Sequence, residues 1–219
     1  MTIWNGYLNK EYILVCKTCP YAKVLVFVKK GQKDPTPWKE WADIFQLFAS
    51  PDKPWRVGFF PSKVHRMLPE PGQPVGPENV NGGYTFPCST NGIIIYREEE
   101  ATRVLIHELF HATCCDRAEL CTEDKEAETE SWAELTIIAY VAVLRKQKPQ
   151  ELFIKQLQWM GVQNTVLRQY YGIQSPNDYV WRYTLGREDA FYRLGIEVPS
   201  YTKVKLRRSN RLTHPSLEI

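Results

Sequence analysis

Residues 104–116 read VLIHELFHATCCD, and no other run limits the fold of this chain so strongly. Val104, Leu105, Ile106, Leu109, Phe110 and Ala112 leave little polar surface, so a helix built from them belongs in a core. That helix nevertheless carries His107, Glu108 and His111. Burying such a trio is costly unless a metal ion or hydrogen bonds compensate. Residues four apart share a helix face, so both histidines can reach one ion. Glu108 lies about 100° round from His107, poorly placed as a ligand but well placed to reach a water on the open side of the ion. The plainer alternative is two histidines capping an apolar helix face, with Glu108 solvated.

The surroundings divide the chain in two. EYILVC (11–16) and YAKVLVFV (22–29) predict strands with Cys19–Pro20 at the turn between them, and WRVGFF (55–60) predicts another. Trp38, Trp41, Ile44, Phe45 and Phe48 recur at helical spacing behind Pro37, predicting an amphipathic helix over 37–50. Residues 69–83 are rich in proline and glycine and predict an irregular loop before two short strands, YTF (84–86) and GIIIYR (92–97). Glu98, Glu99 and Glu100 suit the first turn of the following helix. Beyond it the pattern is helical: about 125–146, 150–160, 162–171 with a break at Gly161, and 187–194.

The expected class is therefore α+β. A mixed sheet-and-helix lobe spans about 1–115 and a helical lobe 116–199, in one domain over 1–199, with the metal site in a cleft between them. Residues 200–219, with Lys203, Lys205, Arg207, Arg208 and Arg211, predict a solvated basic tail. The tail offers a weak contact for nucleic acid or an acidic partner, and a net charge of +3 adds nothing to that.

A third metal ligand separates the subclasses of such sites. The form HExxHxxGxxH requires Gly at 114 and His at 117, but the chain has Cys114 and Arg117. A glutamate on a second helix is the other solution. Eighteen residues separate His111 from Glu130 in EAETESWAEL (126–135), enough to turn and lay a second helix beside the first. Glu128 and Glu134 compete for this role, and spacing favours Glu130.

This pattern resembles the gluzincin branch of the zincin metallopeptidases, the thermolysin-like and aminopeptidase-like enzymes. The stretch 79–112 also resembles small metallopeptidases of large DNA viruses. The resemblance covers roughly residues 80–140. It implies a zincin-like fold holding one Zn²⁺ through His107, His111 and Glu130, with Glu108 as general base in peptide hydrolysis. It further implies that Glu134, one turn on, orients the first histidine, and that a short edge strand before the zinc helix pairs with a peptide or protein substrate. A Tyr, His or Arg from the C-terminal lobe would stabilise the oxyanion. Tyr179, Arg182, Tyr183 and Tyr192 are candidates, with Tyr183 preferred. Two departures stand: Thr113 replaces a larger apolar residue, and Thr129 precedes the glutamate ligand. The competing reading is a zinc-stabilised structural or binding protein, such as a virion component, in which a thiol like Cys114 or Cys115 closes the coordination sphere.

Residues 1–10 lack the basic start and apolar run of a secretory signal, and no apolar stretch is long enough to span a bilayer. The expected setting is cytoplasmic and non-secreted, in a host cell or virion if the chain is viral. The six cysteines are accordingly expected as thiols rather than a disulfide framework. Cys16 and Cys19 read as two separate strand-end thiols in preference to half of a metal or redox site.

Overall fold

A computed structural model describes residues 2–49 and 53–219; Met1 and Ser50, the last residue of the expected helix 37–50, lie outside them. The fold is α+β, with six helices and one mixed five-stranded sheet among these residues. The chain divides into two units, 1–64 with 82–115, and 65–81 with 116–218. Among the described residues no helix is long and apolar enough to cross a membrane.

The first unit holds the sheet. Helix α1 (Thr2–Leu8) leads into β1 (Tyr12–Cys19) and β2 (Ala22–Lys29), an antiparallel hairpin. After α2 (Trp38–Leu47), β3 (Trp55–Phe59) joins β2 in parallel. Strand β5 (Asn91–Ile95) joins β3 in parallel, and β4 (Gly83–Tyr84) lies antiparallel to β5 at the edge, giving the order β1-β2-β3-β5-β4. Period-two burial marks the core face: Val24 and Val26 of β2, Val57 and Phe59 of β3, Ile93 and Ile95 of β5. Trp41 of α2 stacks at a tilt on Phe59, with 5.1 Å between ring centroids, and its indole N–H donates to Thr102 at 3.0 Å. On the opposite face Phe27 stacks on Phe60 and meets Trp4 and Tyr7 of α1 edge-on.

Thr102 belongs to α3 (Ala101–Ala112), which carries HELFH and is buried at every position but Phe110. The three glutamates precede this helix instead of filling its first turn. Glu100 adopts a left-handed φ of 58°, and the Glu98 N–H donates to Ser62 at 2.9 Å, so the segment is spent on reversing the chain between β5 and α3.

The second unit contains α4 (Thr122–Arg145), α5 (Pro149–Tyr171) and α6 (Gly186–Arg193). Three expectations change here. Residues 65–81 belong to this unit and not to the sheet lobe, because Leu68, Val75 and Val80 join a core with Ala127, Val166, Leu167 and Val180.

The helix break at Gly161 does not occur. Isolated glycine weakens a helix without ending it, and here a Cβ would run into the Pro199 carbonyl.

The segment after residue 200 is extended but packed rather than solvated. Gln156, Trp159 and Gln163 lie on one face of α5 and hydrogen-bond the backbone of Leu212, Arg211 and again Arg211, while the His214 N–H donates to Gln156 at 2.7 Å. Val204 and Leu206 point into the core, leaving Lys203, Lys205 and Arg207 exposed between and beyond them. Arg208 pairs with Glu70 and Arg211 with Glu218.

Helix propensity alone makes Gly161→Ala stabilising by about 1 kcal/mol. Collision with the backbone at Pro199 reverses the sign, so the denaturant midpoint falls; a raised midpoint in equilibrium unfolding contradicts this packing.

Candidate metal centre

In the first unit, α3 presents His107 and His111 one turn apart, at 6% and 9% exposure. Their rings stand nearly perpendicular and their Nε2 atoms are 3.1 Å apart. Two nitrogens bound tetrahedrally to zinc at 2.0–2.1 Å would be separated by about 3.3 Å. The pair therefore fits a single ion without rearrangement of the helix. Soft and hard donors sort metals, and two imidazoles beside a carboxylate suit zinc.

Glu108 is 4% exposed and faces the edge strand. A Cβ on Gly83 would come within 3.2 Å of Glu108 Oε1 and within 2.7 Å of both Val104 Cγ1 and the Ile94 carbonyl. Only glycine lets β4 pass this close to the HELFH turn. The sheet partner of β4 is β5, which leaves the other side of the strand as the sheet edge. Tyr84 and Phe86 beside it are exposed.

The turn after β4 is fastened to the same helix. The Cys88 N–H donates to the His111 carbonyl at 3.0 Å, and Cys88 forms a disulfide with Cys114 just past the helix end. This corrects the expectation of reduced thiols for that pair; two cysteines 26 apart in sequence are brought within a Cα–Cα distance of 4.6 Å by the return of the chain through β5 and α3. It also removes Cys114 as a thiolate ligand. Cys115 is exposed and lies 3.2 Å from the Thr113 hydroxyl. Cys16 and Cys19 are free thiols three apart on β1, so they point to opposite faces, as two separate thiols would.

In the second unit, α4 carries Glu126, Glu130 and Glu134 at intervals of four, on one face. Glu130 is 3% exposed. Glu134 is fully buried in an ion pair with the equally buried Arg187 of α6. Arg187 also donates to Gln163 at 3.1 Å and to the Leu212 carbonyl at 3.2 Å. The role expected for Glu134, orienting a histidine, thus has a strong competitor in its own unit. Glu128 is held by Arg117 at 2.8 Å.

Tyr183 lies in a short 3₁₀ segment, Tyr179–Tyr183. Its hydroxyl is 3.4 Å from that of Tyr179, which the Asn81 side-chain amide clamps at 2.7 Å and 3.0 Å. Arg182 lies over the Tyr179 ring and pairs with Glu123 at 2.8 Å. Burial, with the Glu126 carboxylate and the Tyr179 hydrogen bond adding to it, pushes the Tyr183 phenol far above the usual range, so it stays a proton donor. Tyr192 is largely exposed. The sequence reading missed Glu126, Arg187 and Asn81. A four-residue acidic spacing on α4 was the available signal for Glu126; none pointed to the other two.

Comparison of the chain with protein-family models, curated proteins and solved structures finds no match.

Two outcomes follow from these contacts. In a spectrophotometric titration, Tyr183→Phe leaves the tyrosinate signal unchanged near pH ~10, where ordinary phenols ionise; a lost fraction of that signal contradicts the buried, protonated phenol. Arg187→Met strands the Glu134 carboxylate and costs about 3–5 kcal/mol in denaturant unfolding, while Arg187→Met with Glu134→Leu recovers much of the loss. Equal stability of the single variant and wild type contradicts the pair.

Proposed function

We propose that the chain is a zinc-dependent peptidase with a zincin-like architecture of the gluzincin type. The observation that supports it most is the buried convergence of the His107 and His111 imidazoles, which flank Glu108 in sequence, beside an edge strand that only glycine brings so near. His107 and His111 would hold one Zn²⁺ with a carboxylate from α4. Glu130 is that carboxylate by its eighteen-residue spacing, and Glu126, one turn earlier, is the alternative. When bound, zinc supplies Lewis-acid polarisation of the peptide carbonyl and acidifies water.

The side chains divide the remaining work. Glu108 takes the proton of the attacking water and delivers it to the leaving amine. The outer edge of β4 offers backbone N–H and C=O groups to a peptide or protein substrate in extended form. Tyr183, kept protonated, donates to the oxyanion. Glu134 has a supporting part, through the Arg187 pair that fixes the rotation of α4.

The alternative is a zinc-stabilised structural or binding protein. It requires a closed coordination sphere, and the thiols nearest in sequence weigh against one: Cys114 is disulfide-bonded and Cys115 is exposed.

Purified protein is expected to carry about one equivalent of zinc by mass spectrometry of metals, and the His107→Ala, His111→Ala double variant almost none. Glu108→Gln keeps the zinc but cuts peptide-library cleavage by about 10²–10⁴-fold. Zinc retained by the double variant rules out the site, and equal cleavage by Glu108→Gln rules out base catalysis at that residue.

A further inference from the structure

The chain contains six cysteines, and the structure distributes them unevenly. Cys88 and Cys114 are bonded, while Cys16, Cys19, Cys115 and Cys121 are free. Both halves of the disulfide are exposed, as are three of the four free thiols. Any medium that keeps those thiols reduced therefore reaches this bond as well. Exposed disulfides are the reducible ones, in contrast to bonds sealed inside a core.

The position of the bond gives its breakage a consequence. Cys88 sits in the turn between β4 and β5, and Cys114 just beyond the last turn of α3. Each holds a left-handed backbone with φ of 58°, a conformation that a non-glycine residue adopts only where its surroundings hold it there. At Cys114 this is the helix-end turn, closed by its own N–H on the His111 carbonyl at 3.2 Å and the Cys115 N–H on the Phe110 carbonyl at 3.2 Å, and the bond braces the Cys88 turn against it. It also holds the Cys88 N–H on the carbonyl of His111. Once it opens, the turn that carries β4 along α3 is held to the helix by non-covalent contacts alone, the Cys88 N–H bond to the His111 carbonyl among them.

We propose that the Cys88–Cys114 disulfide is a reversible redox lock that holds the β4 edge against the HELFH turn. As a device regulating peptide cleavage, it rests on the peptidase reading above. The oxidised form presents β4 for strand pairing and the reduced form lets the edge drift from Glu108. The chemistry balances with small thiols of the glutathione class. One thiolate attacks a protein sulfur, breaking the S–S bond to give a mixed disulfide and one cysteine thiolate. A second thiol displaces the first as a small-molecule disulfide, so two electrons pass to the protein, and both cysteines end protonated. Oxidation by the small-molecule disulfide is the reverse.

The test uses the 219-residue chain equilibrated across graded ratios of reduced to oxidised glutathione. Differential alkylation with mass spectrometry reads Cys88 and Cys114, hydrogen exchange reads the amides of 84–91, and a peptide library reads cleavage. Cys88 and Cys114 are expected to convert together and reversibly, with exchange over 84–91 faster and cleavage about tenfold lower in the reduced form. The Cys88→Ser, Cys114→Ser variant should keep reduced-form values at every ratio.

Two results overturn the lock: the pair stays oxidised, or stays reduced, at every ratio; or it converts with no change in exchange over 84–91. Because these readouts come from the wild-type chain, misfolding of the variant does not rescue the proposal. Redox-dependent exchange in a chain that cleaves nothing in either state supports the lock on β4 and rejects the peptidase reading.

Discussion

A helix buried on nearly every side has no surface on which to solvate a charge, and α3 carries Arg103, His107, Glu108 and His111 in that condition. Other features of the first unit serve this burial. Three strands turn valine, isoleucine and phenylalanine toward the core face, the Trp41 indole satisfies Thr102, and Gly83 lets an edge strand close over Glu108. Desolvation on this scale strengthens every electrostatic interaction at the HELFH turn.

In the second unit the polar interior is arranged differently. Arg187 and Glu134 are both fully buried, and Gln163, Asn210 and the carbonyl of Leu212 extend the network to α5 and the C-terminal segment. Such a pair adds little net stability relative to a hydrophobic substitute, but losing one member is severe. Its value is angular: it fixes which face of α4 turns inward, and therefore how Glu126 and Glu130 are presented. Arg117 holds Glu128 and Arg187 holds Glu134 on the same helix.

Local patterns in the sequence carry much of the fold. The alternation in AKVLVFVK, the helical spacing of Trp38 to Phe48 and the turn residues at 69–83 each specify an element from neighbours in sequence. What escapes are effects imposed by distant residues. Gly161 reads as a break because nothing nearby reveals that the Pro199 backbone crosses it. The tail reads as solvated because its partners, Gln156, Trp159 and Gln163, are hydrogen-bond donors on another element. The Cys88–Cys114 bond was equally hidden, since spacing gives no connectivity. In the candidate centre, the i, i+4 histidines and Glu108 were legible from helix geometry, whereas the commitment of Glu134 to Arg187 depends on where α6 docks.

The two units are interleaved along the chain, because 65–81 is inserted between parts of the first and packs with the second. No single cut in the gene separates them. A fragment ending at residue 115 would keep Leu68, Val75 and Val80 but lack Val166, Leu167 and Val180, which bury them. A fragment starting at 116 would expose the complementary surface. Isolating either body requires removing or re-routing this insert, for instance by joining the chain directly from 64 to 82. The connectivity that makes the molecule awkward to dissect also means that a nascent chain carries this apolar insert without its partners until α5 has been made.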